Sequence, residues 1–332
     1  MPSPTDVRPR RLALGALVLA VVAAACTGTP TPTPGGTASA SGSAACPAIA
    51  PPDADPEGWG PPATAPVAIP ILITTPVVCG PNRVLFSFVD DANTPIAAPD
   101  RTASIAVYEL GRDATTPVAT AQGTFVWAIE DLRGIYVANV SIPSSGRYGA
   151  EFQTAVADGP SETIRMTFDV QPSSSVVKVG DHAPASRTPT LADVGGEVAH
   201  LSTDPDPDPA LYETSVEEAL AAHEPFVLAF ATPKFCQTAQ CGPTLDRIKA
   251  YVARYPTVTF INVEPYKLKL EGGSLEADLS PEGALQPVAV TTEWGLTNEP
   301  IVFVVDRQGV VRGAFELIFG DDELTAALDE VK

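Results

Sequence analysis

The sequence predicts a multidomain exported protein in which an antiparallel β-sandwich is followed by an α/β domain. About 280 of the 332 residues remain after an N-terminal leader and a tether, which is more than one hydrophobic core usually covers. Residues 46–176 contain short β-branched and aromatic segments separated by turn residues. Residues 177–332 instead alternate strand-like and helix-like segments. These two patterns predict the two kinds of domain.

Residues 1–26 have the organisation of a signal peptide. Three arginines within the first eleven residues precede Leu12 to Ala25, an apolar run too short to span a bilayer. The run Ala23 to Cys26 resembles the lipobox of bacterial lipoproteins, which implies that Cys26 carries a lipid. Ordinary secretory cleavage near Ala25 is the alternative. Either way, we expect the mature chain on the extracytoplasmic side, and the lipid would anchor it to the cell membrane.

Residues 27–45 consist only of Thr, Pro, Gly, Ser and Ala. Such a segment lacks the apolar side chains that offset the entropy of ordering, so we predict a flexible tether. A tether after a lipid-bearing cysteine would hold the folded part of the chain away from a membrane surface.

The formal net charge of −20 excludes some classes of partner. A phosphate backbone or an anionic lipid surface would repel a chain this acidic. We therefore predict no nucleic-acid partner.

Six segments in residues 46–176 are predicted as strands. They alternate apolar with polar residues, and turn clusters such as Asp90 to Asn93 separate them. Strands of this length at about ten-residue spacing predict an immunoglobulin-like antiparallel β-sandwich. No cluster of catalytic side chains occurs here, so we expect a spacer or a partner contact. The segments are Val84–Val89, Ser104–Leu110, Gly123–Ile129, Gly134–Ile142, Gly146–Ala155 and Ile164–Val170.

Residues 177–332 predict a strand–helix–strand–helix order followed by a hairpin and a last helix. Thr214 or Ser215 is predicted to cap the first helix, and Asp321 or Asp322 the last, which ends near Val331. The elements between them are strand Phe226–Phe230, helix Leu245–Arg254, strand Thr257–Val263, helix Val288–Trp294, and strands Ile301–Val305 and Val310–Phe315.

Cys236 and Cys241 lie between a predicted buried strand and a predicted helix, with four residues between them. A thiol near a helix N-terminus lies at the positive end of the helix dipole, which favours the reactive thiolate. This position predicts dithiol–disulfide chemistry. The alternatives are a structural bridge that closes a short loop and, less favoured by two thiols alone, a metal site.

Cysteine number predicts two bridges. If Cys26 carries lipid, four cysteines remain, and an even number in an exported protein favours disulfides. Sequence proximity favours Cys46–Cys79 and Cys236–Cys241. The loop-entropy relation gives about 4 kcal/mol for the longer loop and about 2 kcal/mol for the short one. We therefore interpret Cys46–Cys79 as structural and Cys236–Cys241 as the pair that is reduced and reformed.

The second domain resembles known redox proteins. Val179 to Pro184 resembles the opening segment of the alkyl hydroperoxide reductase and thiol-specific antioxidant families. Together with the cysteine loop, Pro243, Pro300 and the turn Asp306 to Gly309, it makes residues 177–332 similar to a thioredoxin fold. The resemblance implies that Pro300 follows a cis peptide bond and faces the redox cysteines. Thioredoxins have two residues between their cysteines, so their geometry does not carry over to a gap of four.

Pro243 leaves two positions open for the start of the helix. If it corresponds to the mid-helix proline of thioredoxin, the helix starts near Cys236. If it is instead the first helical residue, its favoured position, both cysteines lie in the preceding loop.

The function that we predict is thiol–disulfide exchange with protein thiols or disulfides, without a cofactor or a metal. Cys236 attacks a substrate disulfide, Cys241 resolves the mixed disulfide, and Pro300 shapes the substrate groove, as the resemblance implies. A competing class is a non-catalytic binding lipoprotein in which the Cys236–Cys241 bridge only staples the loop.

A thiol peroxidase is the runner-up. The cysteine gap resembles that of atypical two-cysteine peroxiredoxins of the bacterioferritin-comigratory type. The departures are Leu228 where that family has a proline, and Pro300 where it has an arginine. Without that cation, the thiolate and the peroxide oxygen lose a stabilising partner. A copper chaperone of the synthesis-of-cytochrome-oxidase type is disfavoured because His182, His200 and His223 all precede the cysteines.

Overall fold

The protein is seen in a computed structural model that describes residues 46–157 and 159–332. The predicted signal peptide 1–26, with Cys26, and the predicted tether 27–45 lie outside the described residues. Within the part of the chain that the structure describes, no helix is long and apolar enough to cross a membrane.

The first part of the described chain is an antiparallel β-sandwich. Its two sheets have the strand orders β1-β2-β6-β5 and β4-β3-β7-β8. This is the immunoglobulin-like arrangement of A-B-E-D against C′-C-F-G. The predicted sandwich is therefore confirmed, although the four-residue strands β1 and β4 were not predicted. The strands are β1 Ile69–Leu72, β2 Gly80–Val89, β3 Arg101–Glu109, β4 Ala119–Gln122, β5 Thr124–Ile129, β6 Arg133–Ile142, β7 Gly146–Val156 and β8 Glu162–Val170.

Aromatic side chains fill the space between the two sheets. Phe86 and Phe88 on β2, Tyr136 on β6 and Phe152 on β7 are all buried and belong to one core cluster. The ring centroids of Phe86 and Phe152 lie 5.0 Å apart, across the two sheets. Alternation of apolar and polar residues sends these rings to the same interior, and their burial drives the sheets together.

The Cys46–Cys79 bridge joins the start of the described chain to the residue before β2, over a sequence separation of 33. The backbone N–H of Ile49 also donates to the carbonyl of Ser145, at 2.8 Å. The segment that leads out of the predicted tether is therefore fastened to the sandwich at two places.

The second part contains a four-stranded sheet of order β10-β9-β13-β14 with helices on both faces. Strands β9 and β10 are parallel, and β13 is antiparallel to both of its neighbours. A separate hairpin, β11–β12, follows β10. The elements are α1 Val216–Ala221, β9 Phe226–Phe230, α2 Cys241–Val252, β10 Thr259–Val263, β11 Leu268–Glu271, β12 Ser274–Ala277, α3 Ala289–Glu293, β13 Ile301–Val305, β14 Val311–Glu316 and α4 Asp321–Val331.

Several predicted boundaries need correction. Helix α2 begins at Cys241 rather than Leu245, α3 is only five residues long, and α4 is capped by Gly320 rather than by Asp321 or Asp322. The predicted Ser215 cap of α1 is confirmed, because its hydroxyl accepts from the N–H of Glu218. The hairpin β11–β12 was not predicted, since each of its strands is only four residues long.

Both faces of the central sheet are covered. Val227 and Ala229 of β9 face a cluster that contains α2 and α4, whereas Phe226, Leu228 and Phe230 face one that contains α1 and α3. All five residues of β9 are 0% exposed. A strand buried on both faces is apolar throughout, which explains why the sequence predicted it well.

The sandwich and the α/β part are joined by direct contacts. Nε and Nη2 of Arg83 on β2 donate to the two carboxylate oxygens of Glu323 on α4, at 2.6 and 2.8 Å. Ile318, 1% exposed, joins an apolar cluster of sandwich residues that includes Leu85. The described residues group as one compact unit. The predicted boundary between 46–176 and 177–332 stays a prediction.

Candidate redox site

Cys236 and Cys241 form a disulfide at the junction of β9 and α2. Cys241 is the first residue of α2 and Pro243 the third, so neither predicted helix start is correct. Cys236 lies in the preceding loop. Proline is tolerated at the third position, because the first four N–H groups of a helix have no partner within it.

The two sulfur-bearing residues differ in exposure. Cys241 is 0% exposed, whereas Cys236 is half-buried. The backbone N–H of Cys241 donates to Sγ of Cys236 at 3.2 Å. Cys236 is therefore the accessible sulfur, and it receives the first N–H of the helix although it lies outside α2. That donor would stabilise a thiolate at Cys236.

The cysteine loop is bonded to the segment that contains Pro300. The Glu299–Pro300 peptide bond is cis, as the resemblance implied. Oγ1 of Thr238 donates to the carbonyl oxygen of Glu299 at 3.0 Å, and the N–H of Gln237 donates to Oε1 of Glu299 at 2.9 Å. The pairing of Ile301 with Phe230 sets this contact, because it places the start of β13 beside the end of β9.

Glu299 is a site residue that the sequence analysis missed. It is 3% exposed, and the hydroxyl of Tyr266 donates to its Oε2 at 2.5 Å. Burial raises the pKa of Tyr266, and the hydrogen bond and charge of Glu299 raise it further. An acidic residue beside Pro300, just before a buried strand, was the signal available in the sequence. Its partner Tyr266 lies 33 residues away, so only the fold brings the two together.

Three potential ligand atoms meet at this site. Sγ of Cys236, Sγ of Cys241 and one carboxylate oxygen of Glu299 all lie within 4.8 Å of one another. From the sequence, only the two thiols were available as ligands, which disfavoured a metal site. The structure adds a buried carboxylate to them.

A second group of buried polar side chains lies at the ends of β9 and β10. Oε1 of Glu264 accepts from the N–H of Thr203 at 2.6 Å, and Nδ2 of Asn262 donates to the hydroxyl of Tyr212 at 2.9 Å. Thr232 is 0% exposed. Burial raises the pKa of Glu264, although hydrogen bonds from Thr232 and Thr203 act in the opposite direction.

The hairpin β11–β12 borders the cysteine loop. Nζ of Lys234 donates to Oε1 of Glu276 at 2.6 Å and to the carbonyl of Leu275 at 2.9 Å. Phe235, the residue before Cys236 in the sequence, lines a surface groove together with residues of the hairpin.

No family model and no curated protein matches this chain. Solved structures that it resembles include a DUF4426 family protein from Pseudomonas aeruginosa PAO1, with 10% identity, a TM-score of 0.21, and coverage of 28% of this chain and 76% of that one. Another is CopC from Methylosinus trichosporium OB3b, with 19% identity, a TM-score of 0.21, and coverage of 31% and 95%.

Proposed function

We propose that this protein is a membrane-anchored, extracytoplasmic thiol–disulfide oxidoreductase that uses the Cys236/Cys241 pair. The observation that carries the proposal is the asymmetry of the bridge. Cys236 is accessible and accepts the first N–H of α2, whereas Cys241 is fully buried at the start of that helix. An attacking thiol must be reachable and stabilised as thiolate, while a resolving thiol needs to reach only its partner.

The topology of the α/β part supports a thioredoxin-like assignment. The sheet has the order β10-β9-β13-β14. Its parallel strands β9 and β10 are connected by α2, and its antiparallel hairpin β13–β14 is followed by the last helix, α4. The cysteine loop follows the first strand of this sheet, and Pro300 precedes the third. The thioredoxin resemblance drawn from the sequence implies the same order of elements.

The exchange proceeds in two balanced steps. The Cys236 thiolate attacks one sulfur of a substrate disulfide, which forms a mixed disulfide and releases the other substrate sulfur as a thiolate. The Cys241 thiolate then attacks Sγ of Cys236, which releases the second substrate thiolate and re-forms the Cys236–Cys241 bridge. The substrate gains two electrons and the protein loses two. The reverse sequence oxidises a substrate dithiol.

Anchoring is part of the proposal. The lipobox-like run that ends at Cys26 and the Thr/Pro/Gly/Ser tether support a protein held at the outer face of the cell membrane. An oxidising compartment also suits the two disulfides in the described chain.

Replacing the resolving cysteine tests the mechanism. We expect Cys241→Ser, reduced and mixed with a disulfide-containing protein, to accumulate a mixed disulfide at Cys236, because no second thiol releases it. Non-reducing electrophoresis and mass mapping would detect the adduct. Cys236→Ser is the matched control and should form no adduct, since its remaining thiol is buried.

Two outcomes would contradict the proposal. A bridge that dithiol reductants fail to open, with no adduct in Cys241→Ser, would make Cys236–Cys241 a structural staple. Rapid consumption of hydrogen peroxide by the reduced protein would instead favour the peroxidase.

A further inference from the structure

Glu299 is a buried carboxylate without a matching positive charge. Its hydrogen-bond donors, the N–H of Gln237 and the hydroxyl of Tyr266, are both neutral. Among the described residues, no lysine, arginine or histidine forms an ion pair with Glu299. Burying a charge is costly unless it is paired or coordinates a metal. This position therefore favours a cation, and two sulfur atoms lie within 4.8 Å of one of the carboxylate oxygens.

We propose that the reduced protein binds one zinc-type divalent cation between Cys236, Cys241 and Glu299. This inference rests on the proposed function, because the sulfurs become ligands only after the bridge has been reduced. The site is thus gated by redox state: the disulfide form offers a single carboxylate, and the dithiol form offers three ligands.

The distances suit tetrahedral coordination. Metal–sulfur bonds of about 2.3 Å at tetrahedral angles place two sulfur ligands about 3.8 Å apart, and a carboxylate oxygen slightly closer to each. The three atoms already lie within 4.8 Å of one another. Opening the bridge lets the sulfurs separate to this distance. Cys241 is fixed in α2, so the loop residue Cys236 makes most of the adjustment.

Charge and ligand type select the kind of cation. Two thiolates and one carboxylate carry three negative charges, so a divalent cation leaves one, next to the N-terminus of the twelve-residue helix α2. Thiolate ligands disfavour Mg²⁺ and Ca²⁺, which prefer sites made of oxygen atoms. Three protein ligands leave a fourth position for water or a substrate group.

Hydrogen bonds from two neighbouring residues orient the Glu299 carboxylate as a metal ligand. Gln237 and Tyr266 each donate to a different oxygen of Glu299. A carboxylate oxygen has two lone-pair sites, so each oxygen retains one for a metal. Hydrogen bonds of this kind orient a metal ligand, and their loss typically lowers metal affinity about 10- to 100-fold.

Metal binding follows reduction of the bridge. An external dithiol, the class of reagent that the proposed function exchanges with, gives two electrons to the Cys236–Cys241 bond and becomes a disulfide. Its two protons remain on the two new thiols. The cation then displaces both protons to solvent as the two metal–sulfur bonds form. A bound cation would keep Cys236 from attacking a disulfide, so metal binding and exchange would exclude each other.

Metal titration of the full-length protein tests the site. Protein reduced with a dithiol, desalted without oxygen and titrated with Co²⁺ should bind one equivalent and show a thiolate-to-metal absorption band. Zn²⁺ should displace the Co²⁺. The oxidised protein should show no such band. Glu299→Gln, which keeps the shape of the side chain, should weaken Zn²⁺ binding at least about 100-fold in chelator competition, and Tyr266→Phe about 10-fold.

Control variants and thiol counts make the result decisive. Glu282→Gln removes an exposed carboxylate away from the cysteines and should leave affinity unchanged. Unaltered affinity in both Glu299→Gln and Tyr266→Phe would overturn the three-ligand site. The site would also be overturned if neither Co²⁺ nor Zn²⁺ bound to a sample in which Cys236 and Cys241 can both be alkylated. In that case, a mixed disulfide in Cys241→Ser would leave the proposed function standing. A bridge that no dithiol opens would overturn both proposals.

Discussion

Cys236 and Cys241 have different environments although they share one disulfide. Helix α2 begins at Cys241, and its packing against the sheet buries that sulfur. Cys236 precedes the helix and keeps access to solvent. The difference in exposure between the two sulfurs therefore follows from where a single helix starts.

Glu264 shows a different consequence of burial at the residue scale. It is 9% exposed, and its Oε2 has no hydrogen-bond partner among the described residues. Desolvation disfavours the charged form, so burial raises the pKa of this carboxyl above its ordinary value of 4.5. Stability from this group is fully present below the ordinary pKa and is lost as the pH rises through the folded-state pKa.

We expect Glu264→Gln to remove that loss. Relative to the unchanged protein, the variant should gain stability as the pH rises above the ordinary carboxyl pKa of 4.5, because a neutral amide carries no ionisation penalty. Urea unfolding at several pH values would measure the difference. Glu282→Gln, at an exposed position, should show no such trend. A variant that loses stability at neutral pH would instead mean that Glu264 is ionised and paired in the folded protein.

At the scale of elements, a bidentate ion pair between Arg83 and Glu323 joins strand β2 to helix α4. Arg83 contacts both oxygens of Glu323 and also donates to the carbonyl of Ile318 at 2.8 Å. Burial alone would raise the pKa of Glu323, but the hydrogen bonds and charge of Arg83 lower it below its ordinary value. This pair therefore stabilises the fold above the ordinary carboxyl pKa, and the contribution is lost as the pH falls through the folded-state pKa.

Removing Arg83 should be costly because Glu323 is largely shielded from water. We expect Arg83→Ala to lower the free energy of unfolding by about 2 kcal/mol at neutral pH, and by less in acid. Arg187→Ala is the control. It breaks a surface pair with Asp193 in which the arginine is 78% exposed, and should cost less than about 1 kcal/mol. Equal effects of the two variants would mean that the β2–α4 contact contributes no more than a surface pair.

At the scale of the whole molecule, a location outside the cytoplasm is a proposal that rests on the sequence and on the disulfides. Residues 27–45 carry only small, polar or proline side chains, the Cys46–Cys79 bridge follows directly, and the net charge is −20. The bridge fastens the end of the predicted tether to the sandwich.

The anchoring hypothesis makes a direct prediction. Cys26→Ser should abolish metabolic labelling with a fatty acid and move the protein from the membrane fraction to the soluble fraction, because a single lipid-bearing residue is replaced. Cys236→Ser should retain both the label and the membrane location. If Cys26→Ser stays in the membrane fraction, the protein is held there by something other than a lipid at this cysteine.

Local patterns in the sequence were sufficient for most elements. Apolar runs and period-two alternation located β9, β13 and six strands of the sandwich, since each pattern reflects the burial of a single segment. The four cysteines of the described chain pair as sequence proximity predicted. The strands β1 and β4 and the hairpin β11–β12 were not predicted, because four residues are too few to establish a period.

The composition of the candidate site was decided by tertiary structure. Glu299 and Tyr266 lie 58 and 25 residues beyond Cys241 along the chain, so only the fold shows that both side chains meet at the cysteine loop. The pairing of Ile301 with Phe230 brings Glu299 to the end of β9, where that loop begins. Local sequence patterns were enough to place the two cysteine pairs and most of the strands and helices. Only the register between strands distant in sequence determined which carboxylate lies beside the sulfurs, since register depends on the packing of the whole sheet.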